Sequence, residues 1–466
     1  MDAPDRSDAR APATPNLRRE LRQQLRLALP IIVVQLGMMG MGAVDTLMVG
    51  RYGAEDDGGA ALSAVAQGNL LFFGGFTFAM GVMMGLDPVL SQALGADDRR
   101  GFARGVQRGF VLVPLLALIA ALPLLFAGPL LAALDQPAEV RDLAVSYCHW
   151  SLPGVPLMLG FVVLRGALQS LEKLAPILWT VLAANVLNVV LDAALIHGTW
   201  GAPELGSTGS AIASTIGRGF MLVMLAALAI GRLRPLVLPL DRAALQIAPL
   251  ARLVRLGSSV GAQNLLEFGA FAAVAVGMGQ IGTTEQAGHM VAMNLAALSF
   301  MIPLGVATAA SVRVGKAVGR GDGDAARFAA RTALVLGAGF MLASGGVYFT
   351  CAEFLAGLYT DKAAVVAVAA TLLPLAAAFQ LFDGTQVVAL GVLRGAGDTA
   401  LPALVNLVGY WLIGLPFGWW LAFDTTVGYP GLWWGLVLGL VVVAAVLVVR
   451  IRVRLARFVS RVDLDG

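Results

Sequence analysis

Charge is scarce in this chain. Of its 466 residues only 13% are Asp, Glu, Lys or Arg, about half the roughly 25% usual in a soluble domain. Cysteine is scarcer still: Cys148 and Cys351 offer neither a disulfide framework nor a metal-ligand spacing, and both read as packing residues. No Gly-rich loop ends in Gly-Lys-Ser or Gly-Lys-Thr, so ATP is not expected as a cofactor or energy source, and no other cofactor is implied. HExxH, GxSxG and paired Asp-rich motifs are missing too, which argues against an enzyme. The polar, Arg- and Pro-rich stretch 1–27 has no short apolar core followed by a small-residue cleavage site, so a cytoplasmic tail is expected there, not a signal peptide.

What remains is apolar. Hydrophobic residues make up 58% of the chain and its mean hydropathy is +0.81. Runs of about 20 apolar residues, enough to cross a roughly 30 Å hydrocarbon core, recur throughout. They predict an all-α polytopic membrane protein with twelve spans, near 28–50, 61–86, 110–134, 143–164, 175–197, 207–230, 257–280, 287–312, 332–356, 363–393, 401–423 and 431–449. The 56 glycines suit close helix approach in a bilayer.

Basic residues alternate between the loops. Arg18, Arg19, Arg22 and Arg26 precede the first span, and Arg99, Arg100, Arg104 and Arg108 follow the second. Arg165 and Lys173, then Arg232 to Arg255, then Arg313 to Arg331, then Arg394, and finally Arg450 to Arg461 follow the other even-numbered spans. Only Arg51, Arg141 and Lys362 fall on the opposite side, so the positive-inside rule puts both termini in the cytoplasm. The isoelectric point near 9.1 therefore reflects membrane sidedness and not a nucleic-acid patch. Arg218, midway along the sixth span, breaks the pattern; it either pairs with a carboxylate such as Asp192 or tilts out to water.

The second half echoes the first. Ser91-Gln-Ala-Leu-Gly95 resembles Gly315-Lys-Ala-Val-Gly319, and Leu164-Arg-Gly-Ala167 recurs as Leu393-Arg-Gly-Ala396, each leading to a helix-opening proline, Pro176 or Pro402. Two six-helix lobes of the same orientation are implied, at 28–230 and 257–449, with a linker at 231–256 and a C-terminal tail at 450–466. Parallel repeats of this kind belong to transporters that rock two halves around a site between them.

Within the apolar spans lie Asp45, Asn188, Asp192, Glu267 and Asp383. An acid at mid-bilayer costs roughly 2.5–3.5 kcal/mol on insertion scales, so such groups mark an ion path or an aqueous cavity. Helix rise puts Asp45 and Asp192 level, about 22 and 24 Å from the cytoplasmic end, with Asn188 one turn from Asp192. Two carboxylates and an amide at one depth suit a shared proton or a small hard cation. Glu267 and Asp383 fall about 15–16 Å deep, each on a polar stripe carrying Gln263, Gln380 or Gln386. His289 is a further candidate for the cavity wall, Asp87-Pro88 marks a break or cap, and the Met and Phe residues read as packing.

At these residues the chain resembles the multidrug and toxic compound extrusion (MATE) family. The likeness runs from the first span to the twelfth. It rests on Pro30 with Val44-Asp45-Thr-Leu-Met-Val-Gly50, Asn188-Val-Val-Leu-Asp192, Glu267-Phe-Gly-Ala-Phe271, and Gln380-Leu-Phe-Asp383-Gly-Thr-Gln386. The acids of the second half look like the NorM branch, whereas the fifth-helix Asp192 is more usual in the DinF-like branch. The resemblance implies a V-shaped cavity between two lobes and a bacterial inner-membrane antiporter, functional as a monomer. It would export organic cations or amphipathic drugs in exchange for Na⁺ or H⁺. Asp45, Asn188 and Asp192 would form the N-lobe cation site, and Glu267 with Asp383 a C-lobe cation or substrate site. A lipid-linked oligosaccharide flippase of the same superfamily is the alternative; it would need cationic side chains in a cavity that reads as acidic apart from Arg218. An intramembrane enzyme is a more distant one.

Overall fold

The computed structural model describes residues 17–52, 59–457 and 459–465, without the side chains of Arg232 and Leu236. The first sixteen residues of the expected N-terminal tail therefore lie outside the described residues. The first half contains α1 (Leu17–Tyr52), α2 (Gly59–Met84), α3 (Leu86–Gly95), α4 (Arg99–Leu125), α5 (Ala127–Ala133), α6 (Ala138–Ser151), α7 (Gly154–Ser170), α8 (Ala175–His197) and α9 (Gly206–Val237). The second contains α10 (Ile247–Ile281), α11 (Thr283–Gly319), α12 (Gly323–Thr350), α13 (Ala352–Gly357), α14 (Ala363–Gly395), α15 (Ala400–Asn406), α16 (Leu415–Phe423) and α17 (Pro430–Ala456).

Eleven of these rods, counting α2 with α3 and α15 with α16, are long and apolar enough to cross a membrane; α6 and α7, bent by 45° at Leu152-Pro153, make the twelfth. Proline lacks the N–H that would carry the helix through that bend. The expected break near Asp87-Pro88 falls at Gly85, with Asp87 in the first turn of α3. Helices overrun their apolar cores at the charged ends. As a result α9 continues to Val237 and α10 starts at Ile247, leaving 238–246 between them where the sequence suggested 231–256. Exposed Leu47, Val186, Val223, Val335 and Leu342 face outward as a lipid-contacting surface.

The two halves meet at the end where α1 starts and α17 stops. There the duplicated motifs cross reciprocally: a Cβ on Gly95 would lie 2.2 Å from the Lys316 carbonyl oxygen, and one on Gly319 would lie 2.1 Å from that of Gln92. Since Gln92 and Lys316 occupy matching places in the two motifs, this is a local pseudo-two-fold axis. Next to it α2 crosses α10, with Gly85 against Gly257 and Gly81 against Gly261. Bare glycine lets backbones touch where lipid offers no hydrophobic drive to association.

Gly257→Val should accordingly wedge the halves apart, because its Cβ would stand 2.1 Å from the Val82 carbonyl oxygen. Overpacking of this kind costs about 1–3 kcal/mol. The expected result is a lower melting temperature in detergent, with Gly231→Ala, which meets nothing within 4 Å, as the neutral control.

Candidate functional site

Between α1, α2, α7, α9 and α11 lies a cavity of about 360 Å³. Nine of the chain's 16 methionines line it, with Phe72, Phe73 and Phe76. This corrects the reading of those residues as packing alone: unbranched, polarizable thioethers and aromatic faces give a wall that adapts to differently shaped apolar ligands. The clustering arises from the fold, since the methionines are spread from Met38 to Met301.

At one end of the cavity stands Asp45, on α1. The fit of α8 against α1 depends on Gly37, where a Cβ would lie 2.8 Å from Val181 Cγ1. That approach brings the α8 face bearing Asn188 and Asp192 towards Asp45. Asp45 accepts a hydrogen bond from Ser214 Oγ at 2.7 Å through one carboxylate oxygen, while its other oxygen has no partner among the described residues. Behind it Asp192 and Asn188 are fully buried, and both Asp192 oxygens and the Asn188 amide are likewise unpartnered. Asp192 lies within interaction range of Asp45, but only Asp45 lines the cavity. The arrangement is four buried, unsatisfied oxygens with one carboxylate as their contact to the open space. Such a set is costly unless protons or a cation satisfy it.

Arg218 lies within electrostatic reach of Asp45. It forms no salt bridge with Asp192; its guanidinium sits 3.9 Å above the Phe72 ring and lines the cavity with Asp45. Room for it comes from the α6–α7 bend, where a Cβ on Gly154 would lie 2.8 Å from Arg218 Nη1. Arg165 lines the cavity too, so the walls carry two cations besides Asp45 and Asp87 and are not simply acidic.

The opposite end holds Asp87, Arg165 and Arg394. Asp87 pairs with Arg394 across the two halves at 3.2 Å, and Arg165 lies within electrostatic reach. These arginines are the matching residues of the duplicated Leu-Arg-Gly-Ala motif. The repeats thus deliver one cation each to a single carboxylate.

Glu267 and Asp383 are brought together elsewhere. Gln386 donates to Glu267 at 3.5 Å and accepts from the Tyr410 hydroxyl at 3.0 Å, while buried Asp383 lies within electrostatic reach of Glu267. Gln380 donates to Ser299 at 3.4 Å, and buried Gln263 faces a small gap beside Arg394. None of these residues lines the 360 Å³ cavity. Neither does His289, whose Nδ1 accepts from Trp433 Nε1 at 3.2 Å inside the second half. No three His, Cys, Asp or Glu side chains among the described residues gather as a metal-binding cluster.

The family model described as MatE matches residues 30–194 and 260–420, one segment in each half. The chain belongs to the MATE family. It is 36% identical over 452 residues to a probable multidrug resistance protein NorM of Bradyrhizobium diazoefficiens, spanning 96% of both chains. It is also 33% identical over 441 residues to the multidrug resistance protein MdtK of Edwardsiella ictaluri, spanning 93% of this chain and 95% of that one. Among solved structures it resembles the eukaryotic MATE transporter AtDTX14, with a TM-score of 0.85 at 24% identity over 94% of this chain and 96% of the other. An outward-facing multidrug resistance MATE transporter matches with a TM-score of 0.82 at 21% identity, over 96% and 99%. The MATE fold that the resemblance implied is therefore present. What the sequence reading missed were Ser214, Arg165, the methionine wall, and Asn69, which lines the cavity and accepts a hydrogen bond from the Tyr147 hydroxyl at 3.0 Å. Ser214 and Asn69 had a faint signal, as polar residues inside apolar helices.

Proposed function

We propose that this MATE transporter is a multidrug efflux antiporter of the bacterial inner membrane, with both termini in the cytoplasm. It exports organic cations and amphipathic compounds against an inward flow of H⁺ or Na⁺ and acts as a monomer. The observation that carries this reading is the unpartnered oxygen set of Asp45, Asn188 and Asp192 opening onto the methionine-lined cavity through Asp45 alone. A cation entering from the cavity meets Asp45 first and is then shared with Asp192; Asn188 adds a neutral oxygen. Once that charge is neutralised, a cationic substrate in the cavity loses its partner. The two ligands therefore compete, and the coupling is reciprocal. In this reading Glu267 and Asp383 form a second polar centre that supports the second half and does not touch substrate in this state.

The two cavity arginines meet the polarity that a flippase would need. The full-length similarity to multidrug resistance proteins favours drug export, with Arg218 left to face the anionic end of an amphipathic molecule. Purified protein in proteoliposomes, given H⁺ and Na⁺ gradients separately, tests the proposal. Efflux of an organic cation dye driven by one gradient is expected. Dye movement unaffected by either gradient sinks the antiport reading.

A further inference from the structure

A basic hollow of about 1220 Å³ lies at the end where the halves meet, between the start of α4, the turn joining α7 to α8, and residues 238–242. Its wall carries five cations, Arg99, Arg100, Arg104, Lys173 and Arg242, against two carboxylates, Asp97 and Asp241. Arg104 is committed to Asp241 at 2.6 Å and to Asp465 at 3.1 Å. The other four cations form no salt bridge among the described residues. In the matching stretch of the second half Arg327 holds Asp324, and neither Arg320 nor Arg331 lines a hollow of this kind.

The hollow is preformed, because Gln107 fastens its far wall. Its side chain donates to the carbonyls of Val237 at 2.5 Å and Pro239 at 3.2 Å and accepts from Asp241 N–H at 3.1 Å. Leu238 and Leu240, 51% and 75% exposed, project from that same wall. A soluble phosphate would use the cations but leave these leucines in water. A phospholipid uses both, with its phosphate among the arginines and its acyl chains along the leucines and α9. Basic pockets at the cytoplasmic ends of membrane helices recognise anionic head groups in this way.

We propose that this hollow binds the head group of an anionic phospholipid, which pins the connection between the halves to the first half. The test uses purified full-length protein in detergent with added phosphatidylglycerol or phosphatidylcholine, counting retained lipid by native mass spectrometry and following thermal unfolding. Wild type should retain phosphatidylglycerol at least tenfold over phosphatidylcholine and melt higher with it. The combined variant Arg100→Gln, Lys173→Gln and Arg242→Gln should lose that preference, while its melting without lipid stays near wild type, as expected for exposed substitutions. A variant of equal charge loss elsewhere, Arg320→Gln, Arg331→Gln and Arg452→Gln, should keep the preference. The proposal is overturned if both variants lose it equally, if neither does, or if inorganic phosphate stabilises wild type as well as phosphatidylglycerol.

Discussion

Asp45→Asn should abolish gradient-driven efflux while the protein still folds, and should weaken its hold on a cationic dye. Asparagine keeps the shape and the contact with Ser214 but cannot exchange charge with the cavity. Allosteric couplings between ligands usually amount to about 5- to 150-fold, and in this reading the coupling passes through Asp45, the one member of its oxygen set that lines the cavity. The rate in an imposed gradient should fall to the ungraded leak. Asp192→Asn should fall as far, whereas Asp383→Asn should lose less, since that residue lies off the cavity. Full gradient dependence in Asp45→Asn proteoliposomes would remove Asp45 from the ion path.

Its pH profile provides a second readout. Burial pushes Asp465 and Asp98 upward, but the hydrogen bonds and charges of Arg108 and Arg104 on the first, and of Arg461 and the Gly101 N–H on the second, outweigh it and hold both carboxyls below the ordinary range. A depressed carboxylate contributes stability that is full above about pH 3.9 and is lost only as pH falls through its lower folded value. These terminal-end tethers are thus constant between about pH 5 and pH 8. A pH dependence of transport in that window therefore belongs to groups other than these two tethers.

The transmembrane plan was legible because its signals are long and repeated: apolar runs, alternating basic loops, and a motif that returns with the same arginine. The repeat even anticipated the axis, since Gln92 and Lys316 meet the opposing Gly319 and Gly95. The acid groupings were legible from depth along a helix. What one helix cannot reveal is rotation about its axis. Adjacency of the fifth and sixth spans made Asp192 a candidate partner for Arg218, yet Arg218 turns to Phe72 and the cavity. His289 appeared polar enough for a cavity wall, but Trp433, far along the chain, turns it into the second half's core. The methionine wall is assembled from several separate helices and has no local signature.

Arg394→Ala should open the terminal end of the cavity. The Asp87–Arg394 pair links α3 to α14 across the halves, with side chains 17% and 9% exposed, and its guanidinium Nε lacks hydrogen-bond alignment although it stands 3.2 Å from the carboxylate. Removing one partner from a buried pair costs about 3–5 kcal/mol, chiefly because the other charge stays buried. A pair that exists only while the halves are closed here spends that energy on the closed state. Losing about 3 kcal/mol shifts the equilibrium towards the open one by roughly 100-fold. Arg165 limits the damage, because it can still face Asp87 from within the first half; Asp87→Asn, which leaves two cations unneutralised, should therefore shift the equilibrium further. Spin labels at Arg99→Cys and Arg320→Cys, in a Cys148→Ala, Cys351→Ser background, would report the separation of the halves at this end. The expected result is a longer distance in Arg394→Ala, longer still in Asp87→Asn, and a return towards the wild-type distance when Asp87→Arg is combined with Arg394→Asp. Unchanged distances in both single variants would mean that the glycine crossings alone hold this end shut.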